Sequence, residues 1–436
     1  MNDPDLPFGL LILILLAALG YAMLSMTQKH RKTLPFQLKL FFCAIGVRFL
    51  ISIVLYQFGV VQVIGDEDSS GWLVGSAFYS DWIKRGVGVF ELPAVLADAY
   101  FLHDKGYYYL VGTLFYFTGV PARLPAAALN CFFGGIGVVF AYRTARTLFS
   151  EWVAVRVGWW LCLLPSMLIW SAQTIKEPVV IMLEIIALYA CVQLRTAGFS
   201  LRYIFLAAAA ILLIIPFRFY AAYIAVAAVG LALFVPHLGR RKMTILPGLI
   251  ILAAFIGSAV FFGFMAKHET EFEKFDLQYV QKFKTYTART TGSGVESTYD
   301  LNTPGGFSMS LGVGAAHLLL APFPWELGGA SLRMALTLPE LLIWWWLFFR
   351  GVAPGFWYLI RKRFGDILPM LFFLFGLGFL YSLMFANVGL VFRQRAQLLP
   401  WLIMFAMVGF ERKAIRKLIA RRARASAPPL AIAQRP

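Results

Sequence analysis

The sequence predicts an all-α polytopic membrane protein of about eleven transmembrane helices with extracytoplasmic juxtamembrane helices, and three observations carry that reading. Of 436 residues, 60% are hydrophobic, 16% aromatic and only 14% charged, with a mean hydropathy of +0.74. That balance lies outside the range of soluble domains and leaves no room for a large one. Apolar runs of about twenty residues recur along the whole length, each able to cross a hydrocarbon core of about 30 Å as a helix. Charge is also segregated. Most of the 39 Lys and Arg fall in segments 29–39, 143–156, 195–202, 240–242, 350–363 and 412–435, which with their edges hold only Glu151, Asp366 and Glu411 as acids. The positive-inside rule makes that side cytoplasmic. A net charge of +17 placed this way indicates anionic membrane lipids as partners and no nucleic acid.

Taken in order, residues 1–35 form an extra N-terminal helix and basic turn. The run Pro7 to Met26 has acids before it, no basic leader and no small-residue cleavage site, so it is expected to be retained as a span. Residues 36–265 form the transmembrane core, with a first extracytoplasmic loop at 64–120. Phe36 to Val63 crosses outward, and the charged, interrupted stretch after it suits helices lying in the interface. From Pro121 the crossings are regular: 121–142, 152–170, 179–194, 203–217, 219–238 and 243–265. Residues 266–330 form a second large extracytoplasmic loop, with an amphipathic helix over Glu269 to Lys284 and a re-entrant piece where Leu311 to Leu320 meets Ala321-Pro322-Phe323-Pro324-Trp325. Residues 331–411 supply C-terminal helices at 332–349, 367–386 and 398–410, and 412–436 is a basic cytoplasmic tail. All four cysteines lie in apolar runs, with no disulfide framework or zinc spacing.

Chemistry is sought first where acid sits against the bilayer edge. Asp66, Glu67 and Asp68 follow directly on an apolar run in a chain poor in acid. Adjacent carboxylates repel, so such a cluster suits a general base or a divalent-ion site held by Asp66 and Asp68, and equally a solvated loop end. The helix that follows carries Gly71, Gly75 and Ser76, small residues that permit close packing. Basic residues that break the positive-inside trend are the second signal: Lys176, Arg218, Arg393 and Arg395 lie at three outer turns. Singly each can snorkel to headgroups; together they suit a clamp on a lipid phosphate. Arg48 and Glu184 lie inside spans and read as buried partners. His103 and His317 are poor metal candidates, Trp344, Trp345 and Trp346 read as lipid-facing or packing surface, and Trp325 is placed to stack on a sugar ring.

The acidic pair after a span, the small-residue helix behind it, Val120-Pro121-Ala122-Arg123-Leu124-Pro125 at the next crossing, Tyr142-Arg143-Thr144-Ala145-Arg146-Thr147-Leu148-Phe149 at the cytoplasmic turn, and Leu164-Pro165 with Ser171 form one pattern. It resembles the opening of the C-type glycosyltransferase superfold, the group of protein O-mannosyltransferases, lipid A aminoarabinose transferases and bacterial enzymes that take sugars from polyprenyl phosphate. The similarity spans roughly residues 40 to 195, with a looser echo at Phe392-Arg393-Gln394-Arg395 leading into Leu399-Pro400. Two departures stand out: one span precedes the family core, and Gln173, Lys176 and Glu177 stand where many members place a second acid.

The resemblance implies a glycosyltransferase in a bacterial-type plasma membrane, acting on the extracytoplasmic face. Its donor would be a polyprenyl-phosphate-linked sugar and its acceptor a lipid, glycan or protein. Asp66 or Glu67 would be the catalytic base, and Asp68, Arg123, Lys176, Glu177, Arg218, Arg393 and Arg395 would bind substrate. A repeat-unit polymerase or ligase, leaning on Arg218 and Arg289, and a flippase for lipid-linked sugar are the competing expectations.

Overall fold

Helix is the only regular structure that satisfies every backbone group within one apolar segment, and it dominates here. The computed structural model describes residues 5–27, 31–61, 67–86, 106–235, 248–253, 256–257, 276–290, 294–295, 299–329 and 338–425. In chain order the helices are α1 (Leu6–Thr27), α2 (Leu34–Gln57), α3 (Glu67–Lys84), α4 (Gly106–Thr118), α5 (Arg123–Leu148), α6 (Glu151–Leu163), α7 (Pro165–Ala172), α8 (Glu177–Ala197), α9 (Leu201–Phe234), α10 (Leu277–Thr290), α11 (Pro304–Leu320), α12 (Leu338–Leu347), α13 (Ala353–Leu383) and α14 (Val388–Ala425). Among the described residues there is no strand, only an isolated bridge between Gly294 and Asn387. Six helical stretches among the described residues are long and apolar enough to cross a membrane, or seven if the bent pair α6 and α7 counts as one.

Proline and arginine decide where these helices bend. Pro165 breaks the run 152–170 into α6 and α7, which meet at 52°. The break frees carbonyls, and Arg48, fully buried in α2, takes them: Nη2 donates to Leu161 O at 2.9 Å, Nη1 to Cys162 O at 3.2 Å and Nε to Ser171 Oγ at 2.7 Å. Arg48 is thus bound to the kink, and Glu184 is not among its hydrogen-bond partners.

Two long helices fold back on themselves. A straight helix of 34 residues would be about 51 Å long. In α9, however, both ends lie at the same end of α8: Tyr203 meets Tyr189 with ring centroids 6.1 Å apart, and Arg195 Nη1 donates to Val235 O at 3.2 Å. The turn is at Arg218, whose φ of −161° and ψ of 82° leave the helix two residues after Pro216, which has no N–H to continue it. In the stretch 338–383 the chain stays helical through 350–363, with a π turn at Phe348–Val352, and bends at Arg363. Arg363 Nη2 donates to Leu148 O at 2.7 Å and Arg195 Nη2 to Gly365 O at 2.8 Å, so this bend lies with the ends of α5 and α8.

The described basic segments therefore gather at one end of the bundle. Besides those contacts, Ser150 pairs with Glu411, Lys413 with the carbonyl of Arg350, and Arg202 Nη2 with Thr27 O at 3.3 Å. Arg218 and the start of α8 lie at the opposite end.

Several boundaries differ from the sequence reading. Of the amphipathic helix expected at 269–284, residues 269–275 lie outside the described residues, and the described part is α10, which runs past Lys284 to Thr290. The Pro304-Gly305-Gly306 stretch expected as loop opens α11 instead: Thr303 caps it by accepting from the Gly306 amide at 3.1 Å, and Pro304 occupies the first turn, where no N–H is needed. The tail is helical to Ala425, continuous with α14. Of the small residues in α3, Gly75 is the one the packing requires, since a Cβ there would lie 2.3 Å from the Tyr108 ring on α4; Gly71 has open space. Trp344 and Trp345 are packing residues, donating to Leu319 O at 2.6 Å and Leu320 O at 2.8 Å.

Candidate functional site

The site is built on the short turn 173–176 between α7 and α8, every residue of which is buried. Two polar anchors hold it. From α5, Asn130 Nδ2 donates to Gln173 O at 2.6 Å and Ile175 O at 2.8 Å, with Tyr107 OH at 2.9 Å. From α2 and α3, Tyr56 OH accepts from the Thr174 amide at 3.1 Å and meets Ser69 Oγ at 3.0 Å, while Thr174 Oγ1 donates to Ser69 O at 3.2 Å. A buried turn must have its backbone groups satisfied, and these side chains supply the partners that a helix would otherwise provide.

The turn delivers Lys176 and Glu177. Glu177, 1% exposed, accepts on one oxygen, Oε1, from Arg218 Nη2 at 2.9 Å, and the same oxygen forms an ion pair with Arg393 Nε at 3.0 Å. Its second oxygen, Oε2, is buried with no hydrogen-bond partner among the described residues. Arg218 comes from the bend of α9 and Arg393 from the first turns of α14, so three distant parts of the chain meet on one carboxylate. Behind Arg218, its Nη1 donates to Tyr381 OH at 3.2 Å. With the Gln397 amide turned to satisfy both its ends, its nitrogen donates to Glu184 Oε1 at 2.8 Å and its oxygen accepts from Tyr381 OH at 2.9 Å. Glu184, one helical face along from Glu177, is thus drawn into the same polar group.

The rim is completed from α3. Lys176 Nζ lies 5.2 Å from the centroid of Trp72, which packs on Tyr108 at 4.5 Å and edge-on to Tyr107 at 5.5 Å. Arg123 Nη2 donates to Ser70 Oγ at 2.8 Å and its guanidinium sits 5.1 Å from the Tyr56 ring. Arg123, Lys176, Arg218 and Arg393 are gathered with the carboxylates Glu177 and Glu184 at this end of the bundle. An arrangement of this kind can hold a dianionic group such as a phosphate ester.

Of the residues named from sequence, Arg123, Lys176, Glu177, Arg218 and Arg393 are brought together. Arg395 is not: two positions along α14 it turns to the opposite face, where Nη2 donates to Ala321 O at 2.8 Å and Nη1 to Leu319 O at 3.3 Å at the end of α11. Its expected place in the clamp is therefore replaced by a structural one. Asp66 lies outside the described residues. Glu67 and Asp68 are described as backbone only, forming the first turn of α3, directly before Ser69 and Ser70. Negative charge is favourable at that helix end. No three His, Cys, Asp or Glu side chains gather to hold a metal among the described residues, and the expected ligands Asp66 and Asp68 are not in that set. His317 pairs with Glu326, Nε2 to Oε1 at 2.7 Å, and Trp325 is 75% exposed and stacked on Phe323 at 4.8 Å.

Asn130, Tyr381, Gln397 and the Tyr56–Ser69–Thr174 group were missed by sequence reasoning. Polar side chains inside apolar runs, Asn130 and Gln397 above all, were the available signal. The chain matches no known protein family, and no curated protein is detectably similar to it.

Proposed function

We propose that this protein is a membrane glycosyltransferase that moves a sugar from a polyprenyl-phosphate-linked donor to an extracytoplasmic acceptor, in envelope or exopolysaccharide assembly. The observation that carries the reading is the closure of Arg218 and Arg393 on Glu177 beside Lys176 and Arg123, at the bundle end opposite the basic turns. Cations gathered against the positive-inside trend suit an anionic headgroup, and a lipid phosphate is the anion a membrane delivers there. In this proposal each fold-back counts as two crossings and the bent pair α6–α7 as one, and α14 with the crossing expected at 243–265 brings the total to about eleven in a C-type glycosyltransferase-like arrangement.

The reaction is a direct displacement. Asp66 or Glu67 takes the proton from an acceptor hydroxyl, the oxygen attacks the anomeric carbon, and the bond to the phosphate oxygen breaks with its electron pair leaving on the lipid phosphate. Configuration inverts. Phosphate leaves with accumulating negative charge, so it needs cations more than an acid, and Arg218, Arg393 and Lys176 supply them. Should a divalent ion take part, Asp66 and Asp68 are the carboxylates to hold it, and it would add to that positive charge.

The test is mass spectrometry of lipid-linked intermediates in cells with and without the gene, followed by turnover of the accumulating carrier-bound sugar by purified protein. One such intermediate should accumulate, and Asp66→Asn or Glu67→Gln should slow turnover at least about 100-fold. No accumulation and no turnover sinks the proposal. The central place of Arg218 favours one second reading, a repeat-unit polymerase or ligase. Full transfer in both carboxylate variants with loss in Arg218→Ala would select it, while lipid movement without covalent product would select a flippase.

A further inference from the structure

A second polar cavity lies at the other end of the bundle, among the basic turns, and the proposed transfer makes no use of it. It has about 610 Å³ of water-accessible space, within the range of about 300–1,000 Å³ typical of small-molecule pockets. Its walls come from α1, α2, α5, α6 and α8, and include Tyr142, Arg143, Arg146, Glu151, Tyr189 and Gln193.

Basic residues at this end are expected to reach outward to headgroups, but Arg143 does the reverse. It is 7% exposed, and its guanidinium is fixed by donation from Nε to Gln37 Oε1 at 2.8 Å and from Nη1 to Thr27 Oγ1 at 3.0 Å. One turn along, Arg146 is half-buried at the mouth. It is tied to Glu151 through Nε at 2.6 Å, and Tyr142 OH donates to the other oxygen of Glu151 at 2.6 Å. The carboxylate is thus engaged on both oxygens, and it orients the guanidinium while leaving the two Nη groups as a fork. Two guanidiniums face one carboxylate, in a recess walled by tyrosine, threonine and glutamine side chains. The chemistry suited to that recess is a tetrahedral oxyanion, which a planar guanidinium grips through paired donors.

We infer that this cavity binds a phosphate ester, with Arg146 as its principal contact and Arg143 as the fixed charge behind it. Either an inner-leaflet phospholipid headgroup or a soluble phosphate compound offers this chemistry. The inference is independent of the reaction proposed for the Glu177 end.

The experiment is a binding titration on the full-length protein in detergent, with dioctanoyl phosphatidic acid as probe and inorganic phosphate as competitor. Binding should saturate, and Arg146→Gln, at a half-exposed position that the fold tolerates, should weaken it about tenfold, with Arg146→Lys falling between. The titration is run in the Arg218→Gln background, which removes the phosphate contact proposed at the Glu177 end, and there Arg156→Gln, at an exposed position outside the cavity, should leave binding unchanged. Displacement by millimolar phosphate identifies the site as one for soluble phosphate; resistance to phosphate identifies a headgroup site that needs its acyl chains. Absent saturation, an unaltered affinity in Arg146→Gln, or an equal loss in Arg156→Gln overturns the inference.

Discussion

Arg393 Nε forms an ion pair with Glu177 Oε1 at 3.0 Å, the oxygen that also accepts from Arg218 at 2.9 Å, so a single carboxylate atom ties α14 to the bend of α9 and the start of α8. Two cations on one buried oxygen repel each other and are held together by the charge between them. Removing that charge leaves the repulsion between the two guanidiniums in a low-dielectric setting, and losing one member of a buried pair costs about 3–5 kcal/mol. Glu177→Gln should therefore lower the unfolding midpoint of the detergent-solubilised protein by that order. Adding Arg393→Met to the same chain should restore part of the loss, because the repulsion between the two guanidiniums goes with it. A midpoint unmoved by Glu177→Gln would mean that the pair is not buried as described.

Arg48 gives a test of how the α6–α7 kink is maintained. It satisfies the Leu161 and Cys162 carbonyls that Pro165 releases, so Arg48→Met should destabilise by about 2–4 kcal/mol through unsatisfied buried acceptors. Arg48→Lys should recover little, since one ammonium cannot span Ser171 and both carbonyls. Replacing Pro165 by Ala returns a donor to the helix, so the double variant Arg48→Met with Pro165→Ala should cost less than the sum of the single changes. Strict additivity in the unfolding midpoints would sever the link between this arginine and the proline break.

How much of this was legible in the sequence follows from the physics of each signal. Membrane spans are dictated by length and apolarity, and the runs around Pro7–Met26 and Pro121–Tyr142 reappear as α1 and α5 with shifts of a few residues. Arg218 betrayed itself as a lone charge between two apolar runs, and the chain does turn back there. Arg393 and Arg395 were indistinguishable by composition. Their separation comes from the helical periodicity of α14, which places residues two apart on opposite faces, and the reading had placed them at a membrane edge before the helix began. Asn130 and Thr174 gave no charge to notice. Their importance lies in satisfying the backbone of a buried turn, a requirement that exists only once the tertiary structure buries it.

Glu326 offers a pH test outside the spanning helices. Burial alone would raise its carboxyl, but the hydrogen bond with His317, the Phe323 amide at 2.7 Å and the charge of His317 outweigh it and hold the group below its ordinary 4.5. A carboxyl lowered in the folded state adds stability that is fully present above the unfolded value and is lost as pH falls through the folded one. The unfolding midpoint of the protein should exceed that of Glu326→Gln at neutral pH, and the gap should close as pH drops below 4.5. A gap that stays constant, or widens in acid, would contradict this assignment.

Asn130 tests whether the candidate site depends on the turn beneath it. Its amide nitrogen is shared by the carbonyls of Gln173 and Ile175, which bracket Thr174 and immediately precede Lys176 and Glu177. Asn130→Leu keeps the volume and removes both bonds, so the turn should loosen while the helices on either side, packed by apolar contacts, stay in place. The measurement is the alkylation rate of a cysteine placed at Thr174, a position fully buried in the native chain. The rate should rise at least about tenfold in the Asn130→Leu background, corresponding to a loss of roughly 1.4 kcal/mol in the closed turn. Asn130→Asp should behave like Leu, because a carboxylate has no proton to give two carbonyls, and that distinguishes a donor requirement from a packing one. If the Asp variant protects the cysteine as well as Asn does, the turn is held by the Tyr56 and Ser69 contacts alone and the role given to Asn130 is wrong.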